Sequence, residues 1–111
     1  MIANKPTILI YAVEPHRDLL KEICAGIEEE GVLFEVQYKE NMDINCLSFD
    51  SAQDSILGTG IGVYGARAAL SLRSLPKGKN VFAIEKPSLS QARNLGANAA
   101  RTVKRMPFKE L

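Results

Sequence analysis

The stretch GTGIGVYGARAALSLRSL (residues 58–75) holds the choice that decides the fold. Gly60-Ile61-Gly62-Val63-Tyr64-Gly65 satisfies the G-x-G-x-x-G spacing of a dinucleotide-binding turn. Glu85 stands twenty residues beyond Gly65, near the offset at which such folds hold a ribose. That chemistry needs a helix starting at the glycines, with backbone N–H groups free to meet phosphate. The Ala and Leu content of ARAALSLRSL leans helical by propensity. Leu70 and Leu72, flanked by Ser71 and Arg73, also alternate as a strand does. As a helix, 66–75 completes a strand, glycine turn, helix and strand ending in Glu85. As a strand, it lays the glycines in the sheet, and no helix N-terminus faces a phosphate. The upstream segment FDSAQDSIL supplies only Ile56 and Leu57 before the glycines, where a dinucleotide fold has a longer β-branched run. A nucleotide-binding enzyme built on residues 60–65 is therefore an alternative reading and not the leading one.

Outward from this stretch, strands and helices alternate. TILIYAV (7–13) is a continuous β-prone run suited to a central strand covered on both faces. Pro15 suits a first helical position and Asp18 a first turn. Leu19, Leu20, Ile23, Cys24 and Ile27 form one apolar stripe through about residue 30, and Gly31 supplies the stop. LFEVQYK (33–39) alternates, with Phe34, Val36 and Tyr38 on one side, which predicts a strand at or near a sheet edge. Residues 40–50 read as loop and SAQDSILG as a short helix or turn; GIGVYG and NVFAIE read as strands. A last helix is predicted from Ser88 to Arg105, with Leu89, Ala92, Leu95, Ala99 and Val103 inward and Pro107 preventing its regular continuation. The alternation predicts an α/β sandwich around a largely parallel sheet.

The 111 residues suit one domain spanning 1–111, with 46% hydrophobic and 24% charged residues as in ordinary globular proteins. No apolar run reaches the roughly 20 residues that cross a bilayer. MIANKPTILIYAV lacks the long apolar region and cleavage site of a secretory leader, so a cytoplasmic protein is expected. Cys24 and Cys46 have no metal-like spacing. The net charge of +1 conceals an asymmetry: residues 1–50 hold four Lys/Arg against ten Asp/Glu, and residues 51–111 ten against three. Either the two halves neutralise each other, or each serves a separate partner.

Catalytic combinations are sparse. His16 is the sole histidine and falls near a helix start, without an evident nucleophile beside it. The C-terminal helix is polar and basic outside, through Arg93, Asn94, Asn98, Arg101, Lys104 and Arg105, and lacks the interleaved aromatics of an RNA-binding surface. Gly96 in its interior costs about 1 kcal/mol relative to alanine, which close approach by a neighbouring element would explain. GIEEEG (26–31) places three glutamates in a final helical turn, where the macrodipole favours cations. Solvation can absorb that cost, or an outside cation can offset it: a basic partner surface or a metal shared across an interface. Hard divalent ions favour carboxylate oxygens, but one loop cannot enclose a metal.

GIEEEGVLFEVQ (26–37) and SQARNLGANAARTVKRMPFKEL (90–111) together resemble the small subunit of diol and glycerol dehydratase reactivases. The glycine-bounded acidic turn, the RN-x-G-x-NAAR-x-VK helix and the closing PF with a basic residue carry the resemblance, which spans essentially the whole chain. The same C-terminal motif is similar to the medium subunit of the cobalamin-dependent dehydratases, which is considerably longer. The resemblance implies a three-layer α/β/α sandwich with a five-stranded mixed sheet, anticodon-binding-domain-like, in which 69–73 is the one antiparallel strand. It implies a non-catalytic subunit that pairs with a large subunit akin to chaperone-type ATPases, in a hetero-oligomer of α2β2 type. ATP would lie on that partner, and exchange with the dehydratase medium subunit would release damaged cobalamin. The middle acid, Glu29, would complete a Mg2+ site formed mainly by the large subunit. The chain alone would bind no cofactor, nucleic acid or membrane, and residence in a bacterial microcompartment is compatible with this family. Residues 58–65 match nothing distinctive in the family pattern. A subunit of the dehydratase itself, a nucleotide-binding enzyme and an RNA-binding module are the competing readings.

Overall fold

The computed structural model describes residues 5–111. Residues 1–4, which belong to the single-domain and N-terminal readings above, lie outside this range. The elements run β1 (Ile8–Val13), α1 (Arg17–Glu29), β2 (Phe34–Tyr38), α2 (Ile44–Asp54), β3 (Thr59–Tyr64), β4 (Arg67–Leu72), β5 (Phe82–Glu85) and α3 (Leu89–Lys104). They form one five-stranded sheet of order β2-β1-β3-β4-β5. β1 is parallel to β2 and β3, whereas β4 is antiparallel to β3 and β5.

Helices α1 and α3 pack against each other on one face, and α2 covers β3, β4 and β1 on the other. The five-stranded mixed sheet with one antiparallel strand is thus present. Both faces of β1 are covered, so all six of its residues are buried. Ile8, Ile10 and Ala12 face α1 and α3, together with Ile61, Val63, Ala68 and Leu70. Leu9, Tyr11 and Val13 face the other way and meet Leu47 of α2.

The ambiguous stretch is a strand. Residues 67–72 pair with β3 from Arg67 opposite Tyr64 to Leu72 opposite Thr59. Gly65 and Ala66 make the two-residue turn between them, and Gly65 adopts φ +57°, which glycine tolerates without steric cost. Helix propensity loses here because β4 buries Ala68, Ala69 and Leu70 between two ordered neighbours.

The glycines of the pattern have a packing role. A Cβ on Gly60 would fall within 3.0 Å of the backbone of Ala52 and the side chain of Ser51, and one on Gly62 would strike Ser48 and Leu47. Helix α2 therefore lies directly on β3, closer than any side chain permits. No helix begins at these glycines, so the nucleotide-binding reading of residues 60–65 fails on its own criterion.

Other sequence readings need correction. Residues 40–50 are not all loop, because α2 starts at Ile44 under the Asp43 N-cap, whose carboxylate accepts from Cys46 N at 2.8 Å. Its buried side is Leu47, Ser48, Ser51 and Ala52, too polar and small to register as an apolar stripe. Pro15 precedes the N-cap His16 and is not the first helical residue of α1. Tyr38 is 69% exposed, since the carboxyl end of edge strand β2 projects past its cover. Leu89 opens α3 and is 55% exposed, unlike Ala92, Leu95 and Ala99 beneath it.

Beyond α3, Arg105 turns the chain in a left-handed conformation, and the tail doubles back. Asn98 is not on the outer face as its polarity suggests but fully buried, because it clamps this tail: Nδ2 donates to Lys109 O at 2.9 Å, and Oδ1 accepts from Lys109 N at 2.7 Å. Phe108 closes on Phe82 edge-to-face, with ring centroids 5.3 Å apart.

Candidate partner-docking face

The three glutamates at the end of α1 sit where α1 crosses α3. Two glycines permit that crossing. A Cβ on Gly26 would meet the carbonyl oxygen of Arg93, and a Cβ on Gly96 would meet that of Ile23. The close approach invoked for Gly96 is therefore real, and it is reciprocal. It brings the acidic side chains of α1 against the basic ones of α3.

Each glutamate meets a different environment. Glu30, the C-cap, is only 11% exposed at its side chain and accepts from Lys104 Nζ at 2.8 Å and Arg101 Nε at 3.2 Å. Lys104 Nζ also donates to the backbone oxygen of Glu30 at 2.8 Å. The last turn of α1 contains no basic residue. Lys104 thus supplies from α3 the cation that the α1 dipole favours. The hydrogen bond from Lys104, with help from Arg101, holds the Glu30 carboxyl below its ordinary value.

Glu29 is 55% exposed at its side chain and lies 3.6 Å from Arg93 NH1. That guanidinium is held more firmly by Glu22, at 3.0 Å from both Nε and NH2. Glu28 is exposed, and its charge adds to burial in pushing the Cys24 thiol up to about 11. Cys24 packs partly against the core and stays a neutral thiol near pH 7. These pairs account for part of the charge asymmetry: carboxylates of the acidic half meet cations of the basic half across one helix crossing.

Among the described residues, no group of three or more His, Cys, Asp and Glu could hold a metal ion. Glu29 offers one hard carboxylate at a solvent-facing position. That donor suits one corner of a Mg2+ site whose other ligands come from elsewhere, and it does not suit a site enclosed by this chain.

The remaining sequence candidates are dispersed. His16 takes the N-cap position of α1, but its side chain makes no capping hydrogen bond. It lines a cavity of about 270 Å³ with Asp18, Lys86, Pro87 and Leu89. At the carboxyl ends of β1, β2 and β3 lies an open cleft of about 1260 Å³ that includes Tyr38, Tyr64, Arg67 and the start of α2. There Asp43 places its own carboxylate on the α2 N-terminus, where a phosphate would otherwise sit. Among the described residues, no helix is long and apolar enough to cross a membrane.

Sequence reasoning singled out the glutamates but not their partners. Arg93, Arg101 and Lys104 stand 64 to 74 positions away from the carboxylates they meet. The opposite charges of the two halves were the available signal.

The family model described as dehydratase medium subunit matches residues 5–109. The chain is 36% identical over 109 residues to the propanediol dehydratase-reactivating factor small subunit of Salmonella typhimurium, covering 97% of this chain and 94% of that one. It is 34% identical over 109 residues to the diol dehydratase-reactivating factor small subunit of Klebsiella michiganensis, covering 97% and 87%. The fold superposes on a chain of a diol dehydratase-reactivating factor complexed with ADP and Mg2+ with a TM-score of 0.90 at 30% identity, covering 96% of this chain and 100% of that one. A glycerol dehydratase reactivase chain matches with the same TM-score and identity, covering 96% and 98%.

Proposed function

The chain belongs to the dehydratase medium subunit family, and from that premise we propose that it is the small subunit of a reactivating factor for a diol or glycerol dehydratase. The observation that carries this reading is coverage. Reactivating-factor small subunits match almost from end to end, in sequence and in fold. A dehydratase's own medium subunit is the second reading, favoured by the description of the family model.

In this reading the subunit performs no bond-making and lends a surface. ATP is bound and hydrolysed by the large partner, in an α2β2 assembly. The small subunit leaves it to exchange with the dehydratase medium subunit, which loosens the inactivated enzyme and lets damaged cobalamin escape. The described face suits such exchange. Its core is closed beneath α1 and α3, and its outer groups are charged side chains that water can solvate between partners. Polar, solvated surfaces are the kind that separate without large loss of hydrophobic burial. Glu29 contributes its carboxylate to Mg2+ held mainly by the large subunit, and the exposure of that group supports this role. The protein acts in the cytoplasm, alone or within a microcompartment.

Co-expression with a candidate large subunit and its dehydratase tests the proposal. The expected result is recovery of inactivated dehydratase that requires ATP, free cobalamin coenzyme and this chain together. Recovery without this chain, or its purification as a stoichiometric component of the dehydratase alone, would overturn it.

A further inference from the structure

We infer that Arg93 is a positioning residue that competes with the shared divalent cation for Glu29, so that docking includes an exchange of carboxylate partners. This rests on the shared-metal reading above and deepens it. Three observations carry it. Arg93 is anchored independently of Glu29, because two of its nitrogens lie 3.0 Å from Glu22 Oε1 and its backbone is pinned at the Gly26 crossing. The Glu29 contact is looser: 3.6 Å is beyond hydrogen-bond range for these groups, and both side chains are about half exposed. Neither neighbouring glutamate has this combination. Glu30 is enclosed by Arg101 and Lys104, and Glu28 is solvent-facing.

Glu29 is therefore the acid of the three that is both restrained and releasable. In the undocked chain Arg93 occupies its field and disfavours metal binding to a lone carboxylate. On docking, Glu29 turns to the cation, and Arg93 keeps its charge compensated by Glu22. Arg93 thereby sets the cation concentration at which the two subunits join.

The experiment measures docking of the full chain to the large subunit by calorimetry while Mg2+ is titrated, with thermal melts of each variant beside it. Arg93→Gln is expected to lower the Mg2+ concentration for half-maximal docking by about twofold to fivefold, the range for an exposed ion pair. Glu22→Gln is expected to raise it, since Arg93 is then free to close on Glu29. Opposite shifts from two neighbouring substitutions are not what mere loosening of the α1–α3 crossing gives. If Arg93→Gln fails to fold, the direction of the Glu22→Gln shift decides. Unchanged midpoints in folded variants, or shifts of the same sign, would overturn the exchange while leaving the shared metal intact. Docking that ignores both chelator and Glu29→Gln would remove the shared metal and this inference together.

Discussion

On the α1/α3 face of the sheet, Ile8, Ile10, Ile61, Val63 and Leu70 fill the space beneath two helices. On the α2 face, Gly60 and Gly62, with Ala69 and Ser71 opposite them on β4, leave almost no space at all. The first layer is held by volume, each large apolar side chain contributing roughly 1.5–3 kcal/mol when fully buried. The second is held by proximity. Helix α2 touches the strand backbone, and its buried serines find local acceptors: Ser51 Oγ donates to Ser48 O at 2.9 Å, and Ser48 Oγ to Asn80 Oδ1 at 2.7 Å. A layer held by backbone proximity resists any added atom. A layer held by volume lets its outer surface vary, and there the partly exposed ion pairs lie.

Overfilling the α2 face is the strongest attack on this contrast. Gly60→Val is expected to destabilise the protein by about 3 kcal/mol or more, since α2 must move off the sheet. Gly62→Val should behave alike, as a folding defect with no nucleotide-binding phenotype to lose. Chemical denaturation of either variant measures it, and a native-like midpoint would break the account of close packing.

A smaller effect is expected from Glu30→Gln. The lowered Glu30 value means the ionised group stabilises the fold above its ordinary value of 4.5, and this contribution is lost as pH falls through the folded value. The variant should be less stable by about 1 kcal/mol at neutral pH, given the low exposure of Glu30. Urea denaturation across pH should show the gap from the wild-type protein closing below roughly pH 4. A gap that persists there would mean that packing, not charge, holds the end of α1.

Glu29→Gln sharpens the comparison at the small end. It should change stability by no more than about 0.5 kcal/mol, as for an exposed pair, while weakening Mg2+-dependent docking. Thermal melts with a parallel docking assay separate the two. A loss of stability matching Glu30→Gln would mean Glu29 is structural.

Much of the fold was legible. The run TILIYAV, the stripe from Leu19 to Ile27, the stop at Gly31 and the helix after Ser88 each carry a local pattern at full strength, and each became the predicted element. The site was only half legible. GIEEEG showed carboxylates where a helix end favours cations, but not that Lys104 would supply one from α3. Asn98 gave no sign of its clamp on Lys109, because an asparagine on a helix reads as polar surface until a tail folds over it.

By itself the sequence determined the α/β class, the central buried strand, the two helices of the larger layer and the opposed charges of the chain's halves. Beyond what periodicity and propensity settle, tertiary structure decided that 67–72 joins the sheet, that α2 exists as a helix of small residues, and which glutamate is enclosed and which is exposed. The reason is one of range. Periodicity and propensity report the hydrophobicity of neighbours along the chain, and glycine, alanine and serine contribute little to either. Their meaning lies in how closely another element approaches, and that is set by residues up to 74 positions away.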